Sequence, residues 1–151
     1  MGRAESSLAS FPFPPPPADS DPDPSGVRRQ RRLRILIADD EALVGAALRR
    51  ALAAHDVVVV GGGNAAVAAI SADPSFDLVL CDVMMPDLSG PRVFEVVRAS
   101  HPDLCARFVF ITGGVIHEAS RRFLTALPNR ILHKPFDLTT VRDLVRSAAT
   151  G

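Results

Sequence analysis

From residue 32 onward the chain alternates short apolar runs with stretches whose apolar residues return every three or four positions. The runs have strand length: Leu33 to Ala38, Val57 to Val60, Leu78 to Cys81, Phe108 to Ile111 and Arg130 to Leu132. Between them, Val44, Leu48, Ala51 and Leu52 form one helix face, Val67 and Ile70 a second, and Val93, Phe94, Val96 and Val97 a third. A fourth helix, around His117 to Leu127, is expected to bury Phe123 and Leu127, and a last one, Leu138 to Ala148, to bury Val141, Leu144 and Val145. Five strand-helix units predict a doubly wound α/β domain, a flavodoxin-like (βα)5 fold with a central five-stranded parallel sheet in the order 2-1-3-4-5. In such a sheet the ligand site lies at the carboxyl ends of the strands, where the order reverses.

The N-terminal segment breaks this pattern. Four consecutive prolines follow Phe11-Pro12-Phe13, and Asp19-Ser20-Asp21-Pro22-Asp23-Pro24 comes next, a composition that buries no core and favours extended polyproline II. Residues 1–31 are expected to be a Pro-rich and basic tail or linker, and residues 32–151 the folded domain. The arginines from Arg28 to Arg34 read as a solvated flank.

At 151 residues with 47% hydrophobic side chains the chain has room for one ordinary domain. Seventeen basic and seventeen acidic residues cancel, which gives no reason to expect a nucleic-acid partner. A membrane partner is not expected either, since no apolar run approaches the roughly 20 residues that cross a bilayer. Cys81 and Cys105 have neither metal-ligand spacing nor a disulfide framework, so a reduced, cytoplasmic setting is expected.

Polar residues recur at the strand ends. Asp39 and Asp40 follow the first strand, Asp82 the third, Thr112 the fourth and Lys134 the fifth. With the first and third strands neighbours, three carboxylates meet at one sheet edge, raise one another's pKa and call for a hard cation such as Mg²⁺. On this reading Asp40→Asn relieves repulsion and stabilises the metal-free fold. Lys134, at the end of the fifth strand, is expected across the site from Asp39 and Asp40. Cys81, one residue before Asp82, points the other way into the core. Gly61-Gly62-Gly63-Asn64 reads as a turn with Asn64 as helix N-cap.

Four stretches carry a resemblance to a known family: Ile35 to Glu41 (ILIADDE), Leu78 to Gly90 (LVLCDVMMPDLSG), Phe110 to Gly113 (FITG) and His133 to Phe136 (HKPF). Over about Arg32 to Ala149 the chain resembles the response-regulator receivers of two-component phosphorelays, and most of all the terminal receiver of hybrid sensor histidine kinases. The resemblance implies that Asp82 is the phosphoacceptor, that Asp39, Asp40 and Asp82 hold Mg²⁺ together with the Met84 backbone carbonyl, and that Thr112 and Lys134 bind phosphoryl oxygens. The implied partner is a histidine kinase or its phosphohistidine domain. Chemistry of this kind needs positioning and charge neutralisation more than covalent work.

Ile131 stands where receivers often carry Tyr or Phe, so an aromatic rotamer flip is not the expected readout. Met1 suggests a free-standing regulator, whereas a Pro-rich segment ahead of a receiver suggests the end of a hybrid kinase. The end at Gly151 is expected to leave no output domain. A rival reading is a Mg²⁺-dependent aspartate-nucleophile phosphatase, but Met84 stands where its second Asp belongs. A nucleotide-binding module of the same fold would want a phosphate-cradling glycine loop and stacking aromatics, and the chain has no Trp or Tyr.

Overall fold

A computed structural model describes residues 31–150. The tail expected over residues 1–31 lies outside the described residues except for Arg31. That residue is half-buried, not solvated, with Nη2 3.4 Å from Asp77 Oδ1. Five parallel strands follow: β1 (Arg34–Ala38), β2 (Asp56–Val60), β3 (Leu78–Asp82), β4 (Phe108–Thr112) and β5 (Ile131–His133). Their order is β2-β1-β3-β4-β5, the flavodoxin-like order expected. In register, Ala38 of β1 pairs with Cys81 of β3, and Asp82 with Ile111 of β4, which aligns the carboxyl ends of the three central strands.

The described residues form six helices: α1 (Ala42–Ala51), α2 (Gly63–Ala72), α3 (Gly90–Ser100), α4 (Pro102–Cys105), α5 (Glu118–Thr125) and α6 (Leu138–Thr150). The short α4 is absent from the sequence expectation because four residues show no periodicity. Pro102 opens it at a position where a missing N–H does no harm, and Asp103 sits in its first turn. None of the described helices is long and apolar enough to cross a membrane.

β3 is buried along its whole length, as its unbroken apolar run requires of a central parallel strand. Alternation of side chains divides the core in two. Ile35, Ile37, Leu78, Leu80, Val109 and Ile111 face α1 and α6, where Leu48, Val141 and Val145 close the layer. Leu36, Val79, Cys81, Phe108 and Phe110 face the opposite layer, with Ile70 of α2, Val93 and Phe94 of α3, and Leu124 of α5. Cys81 therefore points away from Asp82, as expected. Phe94 lies edge-on to Phe108 and to Phe123, each at 5.4 Å between ring centroids.

Three side chains depart from the sequence reading. Val96 is 42% exposed, since Val93, Phe94 and Val97 already fill the inward face of α3. In α5 the fully buried residue is Leu124, with Phe123 and Leu127 only half-buried around it. Asn64 is not an N-cap: α2 starts at Gly63, and its cap comes from elsewhere in the chain.

Candidate functional site

The helix that follows β1 packs on one face of the sheet and the helix that follows β3 on the other, so a crevice opens between the ends of these strands. Asp39 leaves β1 with its N–H donating to the Val60 carbonyl at 3.2 Å, which prolongs the pairing with β2 by one residue. Its Oδ1 accepts the Glu41 N–H at 2.9 Å. The Glu41 carbonyl in turn accepts from Val44 and Gly45 and starts α1. Asp39 is buried, whereas Asp40 is exposed toward the crevice.

Asp82 ends β3 and is 4% exposed. The chain beyond it is held closely, with Val83 N–H donating to the Ile111 carbonyl at 2.8 Å and Gly90 N–H to the Val83 carbonyl at 3.0 Å. A Cβ on Gly90 would lie 2.6 Å from the Asp82 carbonyl oxygen, so the start of α3 runs beneath this loop only because residue 90 has no side chain. Met84 meets Asp82 through its backbone N–H, which donates to Oδ1 at 3.4 Å.

Thr112 and Lys134 come from β4 and the end of β5. Thr112 is buried, and its carbonyl accepts the Lys134 N–H at 2.6 Å. The stem of Lys134 lies over Gly113, where a Cβ would come within 2.8 Å of the lysine Cβ. The Lys134-Pro135 peptide is cis.

The Lys134 ammonium is the hub of the site. Nζ donates to Glu41 Oε1 at 2.6 Å and to Asp82 Oδ2 at 3.3 Å. Asp39 Oδ2 is 3.1 Å away but outside hydrogen-bonding geometry, so this buried oxygen has an ion pair and no hydrogen bond. The lysine pairs with Asp82, as its place at the end of the fifth strand allows, but the expectation that it lies across the site from Asp39 and Asp40 is corrected for Asp39, which it touches together with Glu41. Burial works against its charge, but Glu41, Asp39 and Asp82 outweigh that and hold its pKa above the ordinary lysine value. Asp82 is pushed up to about 6, first by burial and next by the Asp39 charge, with Lys134 and the Met84 N–H opposing.

Carboxylate oxygens of Asp39, Asp40 and Asp82 all lie within 4.8 Å of one another. The structure thus gathers Asp39, Asp40, Asp82 and Lys134 as the spacing implies. Glu41 and Asp87 have no role in the sequence reading. Glu41 looks like an ordinary acidic residue at a helix start, although the run of three acids after β1 is a signal. Asp87, between Pro86 and Leu88, looks like a turn residue, yet its Oδ1 and Oδ2 accept the Gly63 and Asn64 N–H groups at 3.1 and 3.0 Å and cap α2.

Residues 35–146 match the family model described as the response regulator receiver domain. The chain belongs to that family. It is thereby a receiver of two-component signalling, a module whose role is to accept a phosphoryl group. The receiver is 32% identical over 121 residues to the DNA-binding transcriptional regulator NtrC of Azospirillum brasilense, covering 76% of this chain and 24% of NtrC. It is 33% identical over 73 residues to the sensor kinase CckA of Brucella abortus (strain 2308), covering 46% of this chain and 8% of the kinase. The chain thus spans a small part of these relatives. A CheY-like receiver domain from Methanospirillum hungatei JF-1 shares the fold, with a TM-score of 0.67 at 22% identity over 78% of this chain and 93% of that one.

Proposed function

We propose that Asp82 accepts a phosphoryl group from the phosphohistidine of a histidine kinase or its phosphohistidine domain, in a reaction supported by Mg²⁺. The observation that carries this is the buried Asp82 carboxylate set between the Asp39 and Asp40 oxygens, within 4.8 Å, and the Lys134 ammonium at 3.3 Å. An Asp82 oxygen forms the new bond to phosphorus. The phosphorus–nitrogen bond of the donor breaks, and its electron pair stays on the imidazole, which takes a proton from solvent. Hydrolysis reverses the charge state: water attacks phosphorus, and the carboxylate and inorganic phosphate are released.

Asp39, Asp40 and Asp82, with the Met84 carbonyl, are the residues that would hold Mg²⁺. The fit rests on the buried Asp39 Oδ2, which has no hydrogen-bond donor, and on an all-oxygen donor set. When bound, the metal offsets the charge of these carboxylates and of the phosphoryl oxygens. Lys134 and Thr112 bind phosphoryl oxygens from the β4–β5 side.

A solvent-open cavity of about 750 Å³ leads to Asp82 past the apolar side chains of Leu43, Val44, Pro135 and Phe136, and we take it as the donor's approach. Catalysis by the receiver itself is confined to its own phosphorylation and dephosphorylation. With Ile131 half-buried in β5, the response travels through the backbone after Thr112 toward α5.

Beryllofluoride with Mg²⁺ stands in for the phosphoryl group. Titrated by calorimetry or followed by NMR, it is expected to bind the wild type and not Asp82→Asn, whose neutral amide cannot replace the carboxylate oxygen as the attachment point. Equal binding to both proteins would overturn the assignment.

A further inference from the structure

The Lys134 ammonium has three protons and three acidic neighbours, and these neighbours are not equivalent. Asp39 and Asp82 are buried and belong to the carboxylate cluster. Glu41 makes the shortest contact, 2.6 Å, from a side chain that is 59% exposed. Its backbone is nevertheless fixed, with the N–H on Asp39 Oδ1 and the carbonyl starting α1. Glu41 also lines the cavity through which an anionic donor must approach Asp82. The side chain can therefore leave the lysine by rotating about its own bonds, with no movement of strand or helix.

A phosphoryl group on Asp82 needs a lysine N–H, and of the three acidic neighbours Asp39 and Asp82 are buried in the cluster while Glu41 alone is exposed. The partner that can be given up is Glu41. Resting on the assignment of Asp82 above, we infer that Glu41 is a positioning residue that holds the Lys134 ammonium in the unphosphorylated receiver and yields it to the phosphoryl oxygens. In the resting domain the pair keeps the lysine extended over Gly113 toward the crevice mouth, available yet occupied. Loss of the Glu41 charge removes the competitor, so anion binding tightens.

The double-mutant cycle of Glu41→Gln and Lys134→Ala, read as beryllofluoride affinity at saturating Mg²⁺, tests this. Glu41→Gln alone is expected to tighten binding by about threefold to fivefold, the range of a partly exposed ion pair. In the Lys134→Ala background, or in Lys134→Met should the alanine variant fold poorly, the same substitution is expected to change nothing. A gain that persists without the lysine would mean that Glu41 merely repels anions, and the inference fails. Titration of Mg²⁺ alone is the second measurement: affinity unchanged within about twofold supports a lysine partner, whereas joint loss of Mg²⁺ and beryllofluoride binding makes Glu41 a metal ligand and overturns the inference. Asp82→Asn, run alongside, separates the two readings. If it still binds beryllofluoride, the phosphoacceptor assignment itself is wrong, and if it does not while Glu41→Gln binds like wild type, only the Glu41 role falls.

Discussion

Asp82 is the residue on which the electrostatics of the receiver converge. Burial and the neighbouring Asp39 raise its carboxyl from 3.8 to about 6. The folded state thus keeps a proton that the unfolded chain has already lost between about pH 4 and 6. In metal-free protein the sign follows directly: stability is greatest in acid as far as this group is concerned, and is lost as pH rises through that window. Asp82→Asn removes the penalty. It should stabilise the metal-free domain by roughly 1–2 kcal/mol above pH 6, with the difference shrinking toward pH 4. His55 has the opposite tendency, its pKa lowered by burial and by Arg32 while its Nδ1 accepts the Leu33 N–H, but it is common to both proteins and cancels. Urea unfolding in chelator at several pH values measures the difference, and a gap that widens toward acid would place the penalty on another group. The sequence alone points to Asp40 for the same relief. The structure moves it to Asp82, because Asp40 is exposed and solvent screens its charge.

Among the elements, α1 has two jobs. Leu48, with Leu52 just past the end of the helix, lies against the sheet, while Leu43 points outward, 86% exposed, at the flank of the cavity that opens on Asp82. An exposed leucine in the first turn beside the Asp82 carboxylate suits a surface that the proposed phosphohistidine donor would cover during transfer. Leu43→Asp is expected to slow transfer from such a partner by about tenfold while leaving labelling by a small acyl phosphate unaltered. Equal slowing with both donors would place the defect in the site itself. The inward faces of α1 and α6 are legible from periodicity, because Leu48, Val141, Leu144 and Val145 repeat at helical spacing and are all buried. Periodicity misleads at Val96, where one apolar residue more than the face can hold is left outside, and at Leu124, which takes the most buried place while Phe123 and Leu127 pack half-buried against the same cluster.

At the scale of the molecule, the parallel sheet and the location of the site at its strand ends are legible in the sequence because both follow from regular alternation, while the strand order is that of the flavodoxin-like topology. Apolar runs set the strands, and Asp39, Asp40, Asp82, Thr112 and Lys134 fall just where each run stops. Side-chain partnerships across the fold carry no such signature. That Lys134 meets Glu41 and Asp39, 93 and 95 positions earlier in the chain, depends on how the β5 end lies over Gly113, which no local pattern encodes. Asp87 is the plainest case. Helix α2 has no capping side chain of its own, and its first N–H groups are satisfied by a carboxylate 23 and 24 residues downstream, with that carboxyl held below its usual pKa by the Asn64 and Gly63 N–H groups.

That remote cap bears on the order of events as the chain is made. A ribosome releases α2 well before residue 87, so the helix must wait with a frayed first turn until β3 has docked beside β1 and the loop beyond it swings into place. The cap is then a late closure, fastened after the nucleus of the sheet exists. Asp87→Ala should accordingly leave the refolding rate constant almost untouched and speed unfolding, so that a chevron plot shifts only on its high-denaturant arm. A shift confined to the refolding arm would show instead that this tie between loop and helix is among the first contacts the receiver makes.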